Sequence, residues 1–109
     1  MKKLFLLTAI LVSFFLAGPL LAADLQANWT KHCASCHGKD GKGQTKAGKI
    51  AGAKDQTDAQ YQASLKDDKM FKSIKEGIKD GEKIKMKPAE GLSDDEIKAL
   101  MAHVRSFKK

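Results

Sequence analysis

The chain contains the stretch Cys33-Ala34-Ser35-Cys36-His37, in which two residues separate a pair of cysteines and a histidine follows directly. This spacing is typical of covalent haem attachment, in which the two thiols add to the two vinyl groups of the porphyrin. The histidine then lies under the iron and can coordinate it through a ring nitrogen. No other cysteine occurs in the chain. The stretch therefore predicts one covalently bound haem c, attached through Cys33 and Cys36 and ligated by His37.

The first 23 residues have the three parts of a secretory signal peptide. Lys2 and Lys3 form a basic region, residues 4–17 are almost wholly apolar, and small residues follow. We therefore predict a signal peptide over residues 1–23, cleavage near Ala22 to Asp24, and a periplasmic location. The apolar run is shorter than the roughly 20 residues of a membrane span, so an uncleaved N-terminal anchor is the alternative.

The remaining residues, 24–109, are enough for one small domain. The full chain carries a net charge of +7, and loss of Lys2 and Lys3 leaves 18 basic residues against 13 acidic ones, a net charge of +5. Because acidic residues are interspersed among the basic ones and the chain is predicted to be exported, we expect no binding to nucleic acid. A domain of this size buries a limited core. We therefore expect the cofactor to supply much of the core and the apo chain to be largely unfolded.

Apolar residues recur at helical spacing along this domain, and no strand is predicted. The predicted helices run from Asp24, as N-cap, to about Cys33, from Asp58 to about Leu65, from Asp67 or Asp68 to Gly77 or Gly81, and from a capping box at Ser93 to near Phe107. The glycine-rich and charged segments between them, at residues 38–44, 46–57 and 79–91, are predicted to be turns or irregular chain. The pattern therefore predicts an all-α domain.

The iron of a haem held by His37 has a second axial position, for which five side chains are candidates. They are Met70, Met86, Met101, His32 and His103. Met70 and Met101 lie on apolar helical stripes, where a methionine is usually a core residue. His32 adjoins the attachment site but is expected to point away from His37, and His103 lies beside the apolar stripe of the last helix.

Met86 differs from the other candidates because it has no apolar stripe to join. It stands between Lys85 and Lys87, two residues before Pro88, whose ring stiffens the segment. An exposed loop methionine is one interpretation, and a distal iron ligand is the preferred one. A histidine and a methionine together leave the iron without an open position, which favours an electron carrier over an enzyme. A thioether ligand also tends to raise the reduction potential relative to a second histidine.

Taken in order, these features resemble the class I cytochrome c family over residues 24–109. They are Trp29, four residues before the first cysteine; the attachment motif with Gly38; Met86 with Pro88; and the start of the last helix at Leu92 to Ile97. The resemblance implies three to four helices wrapped around one covalently bound haem, with the N- and C-terminal helices packed together. It implies one-electron transfer, with Cys33 and Cys36 as thioether residues, His37 as the proximal ligand and Met86 as the distal ligand.

Two features depart from that family pattern. Many members have a proline after the histidine, with a nearby carbonyl that orients the ligand ring, but this chain has none between Pro19 and Pro88. A backbone carbonyl near Ala47 or Gly48 is the expected replacement. The family also often has an aromatic residue where His103 stands, so the terminal helices are expected to use other contacts or to gain pH sensitivity.

Lysines cluster in two segments of the sequence. They are Lys39, Lys42, Lys46 and Lys49 after the attachment site, and Lys79, Lys83, Lys85 and Lys87 around Met86. If both segments border the haem edge, a positive rim would steer redox partners with acidic patches. Ordinary solubilising charge is the alternative. We expect a monomer that docks to redox proteins and has no stable membrane insertion after signal cleavage.

Two other classes of protein compete with an electron carrier. The first is a haem-based catalytic or gas-binding protein with an open or labile sixth iron position. The second is a thiol redox or zinc module. A thioredoxin-like Cys-x-x-Cys requires a βαβ setting, which is not predicted here. For zinc, the candidate ligands are crowded into residues 32–37, unlike the separated pairs of known zinc sites.

Overall fold

The computed structural model describes residues 18–109, with side chains from residue 24 onward, so most of the predicted signal peptide lies outside the described residues. The elements in chain order are α1 (Gly18–His32), α2 (Ala34–His37), α3 (Lys46–Ala51), α4 (Ala59–Ser64), α5 (Asp67–Glu76), β1 (Ile78–Asp80), β2 (Lys83–Met86) and α6 (Asp94–Ser106). This described part is mostly helical, which confirms the predicted fold class. Its six helices exceed the three to four expected, because α2 and α3 are short turns of helix.

The prediction that no strand occurs is wrong. Strands β1 and β2 pair antiparallel, with Ile78 opposite Met86, and Gly81 takes a positive φ of 62° in the turn between them. A positive φ is accessible to glycine without a steric penalty, so the chain can reverse here. Charged residues occupy most of the hairpin, which is exposed along nearly its whole length. The alternation of buried and exposed residues that normally marks a strand is therefore missing.

Two helix boundaries also differ from the predicted ones. Helix α1 is continuous from Gly18, so Asp24 lies inside it and is not its N-cap. Residues 20–23 are leucine and alanine, which favour helix, so the helix continues through Asp24 and does not begin there. Helix α3 occupies part of the segment predicted to be irregular. Its N-cap is Thr45, whose side chain accepts a hydrogen bond from the Gly48 amide, and its C-cap is Gly52, which has a φ of 76°.

The last helix follows its prediction closely. Ser93 accepts a hydrogen bond from the Glu96 amide, and the Glu96 carboxylate accepts one from the Ser93 amide, which completes the capping box. Helix α6 packs against α1 and α5 and buries Ile97, Leu100 and Val104. The N- and C-terminal helices are therefore in contact, as expected. Asn28 of α1 also donates to the Glu96 carboxylate at 3.0 Å.

A polar network joins α4 and the start of α5 to α6. The buried Gln62 amide donates to the carbonyls of Gln56 at 2.6 Å and Val104 at 2.8 Å. The Arg105 guanidinium donates to the carbonyls of Gln62 and Leu65, each at 2.6 Å, and to the Asp67 carboxylate. Buried polar groups are costly unless they are hydrogen-bonded. The network therefore positions the segment that forms one wall of the cavity described next.

Candidate haem site

A cavity of about 740 Å³ is lined by residues from the helices and the hairpin. Its walls include both cysteines, His37, Met70 and Met86. The same cavity is lined by the apolar side chains of the core on α5 and α6, and its size suits a large organic ligand. Four of the residues predicted at the site, two thiols, an imidazole and a thioether, thus face one space. This donor set fits an iron porphyrin attached through two thioethers.

The two cysteines are held one helical turn apart at the junction of α1 and α2. Both thiols are free; Cys33 is buried and Cys36 is partly exposed. Burial raises the pKa of the Cys33 thiol to about 11, because the low-dielectric surroundings disfavour the thiolate. The amides of Cys36 and His37 both donate to the Cys33 carbonyl, at 3.3 and 2.9 Å. This turn places the two sulfur-bearing residues on the same side of the chain.

The His37 ring lies against the wall of the cavity beside Trp29. The two ring centroids are 6.1 Å apart, and burial lowers the pKa of the imidazole below its usual value. Its Nδ1 atom is buried and has no hydrogen-bond partner among the described residues. The expected acceptor near Ala47 or Gly48 is therefore not found. The Gly48 carbonyl accepts hydrogen bonds from the amides of Gly52 and Ala53 instead, the latter at 2.8 Å.

Met86 reaches the cavity from the end of strand β2. It is partly buried and packs against the hydrophobic core. The Ala89 amide donates to the Ile74 carbonyl at 2.9 Å, which ties the segment after Met86 to α5. Gly77 approaches the Met86 carbonyl so closely that a Cβ atom there would collide with it. The hairpin and this tie together hold Met86 at the cavity, where the sequence suggested only a stiff loop.

The other four candidates for the distal ligand lie in different surroundings. Met70 also lines the cavity, but it is only 8 % exposed and belongs to the buried core. His32 lies at the cavity wall at the end of α1. Met101 packs against the core and is not among the lining residues. Two methionines and one histidine besides His37 therefore face the cavity.

His103 takes the place of the expected aromatic residue between the terminal helices. Its ring packs in T-shaped arrangements against Trp29, at a centroid distance of 4.8 Å, and against Phe107, at 4.7 Å. Partial burial lowers the pKa of His103, which favours the neutral ring that packs well between two aromatic groups. Trp29, which is 2 % exposed, also donates from Nε1 to the Gly38 carbonyl at 3.1 Å. The terminal-helix contact thereby joins the turn that carries His37.

Comparison with known proteins agrees with this geometry. The family model described as Cytochrome c matches residues 22–108. The chain belongs to the cytochrome c family. Among solved structures, it is similar to one described as "KustC0563 c-type cytochrome", with 36% sequence identity, a TM-score of 0.68, and coverage of 79% of this chain and 98% of that chain. A mutant of the same protein is similar at 36% identity and a TM-score of 0.66, covering 78% of this chain and 99% of that chain. No curated protein gives a significant match.

As a member of the cytochrome c family, the protein carries a covalently bound haem c with its iron. Small cytochromes of this kind are typically electron carriers that exchange electrons with redox proteins, and not enzymes. In the described residues no helix is long and apolar enough to cross a membrane. Residues 24–109 also contain no group of three or more His, Cys, Asp or Glu side chains arranged to hold a bare metal ion. The family match therefore replaces the thiol redox and zinc alternatives. The two strands form a hairpin and not the βαβ unit that a thioredoxin-like motif requires.

The lysines near the cavity are only partly those predicted. Lys85 and Lys87 line it, and so do Lys54 and Lys69, which the sequence did not single out. Lys85 also lies 3.6 Å from the Asp80 carboxylate in an exposed ion pair. The lysines directly after the attachment stretch are not among the lining residues. Of the two predicted clusters, the one around Met86 is therefore the one that reaches the cavity of this cytochrome c.

Proposed function

We propose that the protein is a periplasmic one-electron carrier whose single haem c is attached through Cys33 and Cys36 and whose iron is ligated by His37 and Met86. The observation that carries this proposal is that all four side chains line one cavity. When bound, the haem supplies the reversible one-electron chemistry of its iron. The chain holds it covalently, surrounds it with apolar side chains and limits the access of water.

Met86 is preferred to Met70 because of how each side chain is held. Met70 lies in the middle of α5 and forms part of the stripe that buries Ile74, so its side chain is already used in packing. Met86 is the last residue of an exposed hairpin and belongs to no helical stripe. A methionine on a segment tied down at both ends can present its sulfur without disrupting the core. His32 shares the cavity wall but adjoins the attachment point of Cys33.

Removing the thioether of Met86 should abolish the absorption band that arises from iron–thioether bonding in the ferric protein. We expect Met86→Ala to lose this band and to bind carbon monoxide readily when reduced, because one axial position is opened. The matched control is Met70→Ala, which removes the other methionine of the cavity wall and should keep the band. The measurement is the pair of ferric absorption spectra beside that of the unaltered protein.

Either of two results would refute this ligand assignment. Survival of the band in Met86→Ala, with loss in Met70→Ala, would assign Met70. A high-spin ferric spectrum in the unaltered protein, with rapid binding of carbon monoxide after reduction, would favour the haem-based catalytic or gas-binding alternative. That alternative needs an open or labile sixth position, which two ligating side chains would remove.

We also propose that residues 1–23 are a cleaved signal peptide and that residues 24–109 form the cytochrome c domain. The support is the basic, apolar and small-residue order of the first segment together with a family match that begins at residue 22. Cleavage near Asp24 would shorten α1, whose residues from Leu25 onward contact the core. The part of α1 that carries Trp29 would remain intact.

We propose further that lysines at the cavity guide redox partners that carry acidic patches, and that the protein docks as a monomer. Lys54, Lys69, Lys85 and Lys87 come from separate segments, yet all four line the cavity. Of these four, Lys85 forms an ion pair, with Asp80, and the other three form none within residues 24–109. Opposite charge on a partner raises the rate of encounter more than the final affinity.

Reversing two of these charges should slow oxidation by an anion. We expect Lys54→Glu with Lys69→Glu to lower the rate with ferricyanide several-fold and to raise the rate with a cationic cobalt(III) complex. The control is Lys98→Glu with Lys108→Glu, which changes the net charge equally at exposed residues that do not line the cavity. At about 0.1 M salt the screening length is about 10 Å, so local charges dominate. Equal rates in the two double variants would contradict a guiding role.

A further inference from the structure

The turn that carries His37 ends after a single helical turn and leaves its carbonyl groups in need of partners. Helix α2 has only four residues, and the last four carbonyls of any helix lack partners within that helix. The Gly38 amide donates to the Ala34 carbonyl at 2.8 Å, and the Gly43 amide to the His37 carbonyl at 2.9 Å. The carbonyls of Ser35 and Cys36 remain to be satisfied.

The hydroxyl of Thr45 satisfies both. Its Oγ1 lies 2.7 Å from the Ser35 oxygen and 2.9 Å from the Cys36 oxygen, so its one proton is shared between two acceptors. The same oxygen accepts a hydrogen bond from the Gly48 amide at 2.9 Å and thereby caps α3. One side chain thus joins the start of α3 to the backbone of the attachment turn.

Gly48 shows how tightly α3 is seated on that turn. A Cβ atom on Gly48 would collide with the Cys36 carbonyl oxygen, and would also lie 3.0 Å from the Thr45 hydroxyl. Only a residue without a side chain allows this approach. The position of Cys36, and of His37 directly after it, is therefore set by backbone contact with α3 through Thr45 and Gly48.

The ring of His37 has no hydrogen bond of its own to orient it, because Nδ1 is buried without a partner. An iron-ligating histidine is usually oriented by a hydrogen bond from its second ring nitrogen. We propose that Thr45 is the positioning residue for His37. It fixes the backbone of the turn that carries this ligand, whereas in other proteins a hydrogen bond fixes the ligand ring itself. This inference rests on the proposed ligation of the iron by His37.

Thr45→Val tests the proposal because valine has the shape of threonine but no hydroxyl. We expect the hyperfine-shifted haem methyl resonances in the proton NMR spectrum of the ferric protein to change order or spread, because they report the plane of the imidazole ligand. The reduction potential should shift with them. Thr45→Ser, which keeps the hydroxyl, should restore both. Ser93→Ala, which removes the N-cap of α6 without touching the attachment turn, should lower stability and leave both unchanged.

The results separate this inference from the proposed function. Resonances and a potential like those of the unaltered protein in Thr45→Val, with lower stability alone, would show that Thr45 is merely a helix cap. If Thr45→Val does not mature, Thr45→Asp decides, since an ionised carboxylate can cap α3 but cannot donate to Ser35 and Cys36. Unchanged resonances there would overturn the proposal. A high-spin ferric spectrum in the unaltered protein would instead overturn ligation by Met86 and leave ligation by His37, on which this inference rests, in place.

Discussion

A Cys33→Ala, Cys36→Ala double variant should lose its haem and most of its helical circular dichroism. Within residues 24–109, six of the eight buried hydrophobic residues line the cavity, namely Trp29, Cys33, Met70, Ile74, Leu100 and Val104. Without covalent attachment, the haem would be free to dissociate, and these side chains would face an empty or wet space. Most of the buried core therefore packs against the cofactor, and these side chains lose that packing when the haem is absent.

The size of the effect follows from the number of apolar side chains that face the cavity. Without haem these side chains lose their packing partner and face water, and burial of one large apolar side chain contributes about 1.5–3 kcal/mol. Small domains have a total stability of about 5–15 kcal/mol. Loss of packing at several such side chains is comparable with that total, so collapse or unfolding of the apo domain is the expected result.

The reference for this experiment is the unaltered exported protein. Its intact mass should equal that of residues 24–109 with one haem, which also tests the proposed signal cleavage. Single variants at Cys33 or Cys36 retain one possible thioether and should keep more helix than the double variant. Native-like helix content in the haem-free double variant would contradict a cofactor-dependent core. An intact mass that includes residues 1–23 would point to the uncleaved anchor.

Local signals in the sequence were enough to predict the helix ends that are marked by capping residues. The capping box at Ser93 and Glu96 and the N-cap at Asp58 each lie within a few residues of the helix they start. Gly77 ends α5 as one of the two glycines predicted to do so. Such signals act over three or four residues, and for that reason they can be read without knowledge of the fold.

Elements that depend on distant partners were predicted less well. The hairpin of β1 and β2 carries almost no apolar alternation, so its sequence resembles a charged loop. Helix α3 depends on contact with α2 through Thr45 and Gly48, which no spacing rule describes. Tertiary contact overrode weak local propensity in α3, whereas the hairpin pairs with itself and lacks only the apolar alternation by which strands are recognised.

The same distinction applies to the candidate site. The roles of Cys33, Cys36 and His37 are predicted from their spacing, which encodes the geometry of attachment directly. Thr45, the partner of the Ser35 and Cys36 carbonyls in that turn, lies ten and nine residues away from them, and this contact leaves no pattern in the sequence. His103 was recognised as unusual, but its packing between Trp29 and Phe107 needed the terminal helices to be placed together.

Leu100→Ala should be the most damaging single truncation in α6. Leu100 is 0 % exposed, lines the cavity and, with Ile97, is one of the two largest fully buried side chains in the part of the chain whose side chains are described. Removing buried methyl and methylene groups costs their transfer free energy and adds a penalty for the space left behind. For a leucine in such a position the expected loss in the free energy of unfolding is about 3–5 kcal/mol.

The matched control for this truncation is Ile50→Ala, which removes the same number of carbon atoms from a side chain that is 70 % exposed. Because surface truncations are usually within about 0.5 kcal/mol of neutral, any larger loss in Leu100→Ala measures burial and not side-chain size. The measurement is guanidinium unfolding of the two haem-loaded variants, followed by circular dichroism. Similar midpoints would mean that α6 is not tightly packed at Leu100. A large difference would mean that the α6 wall of the haem cavity is also part of the core that joins the two ends of the chain.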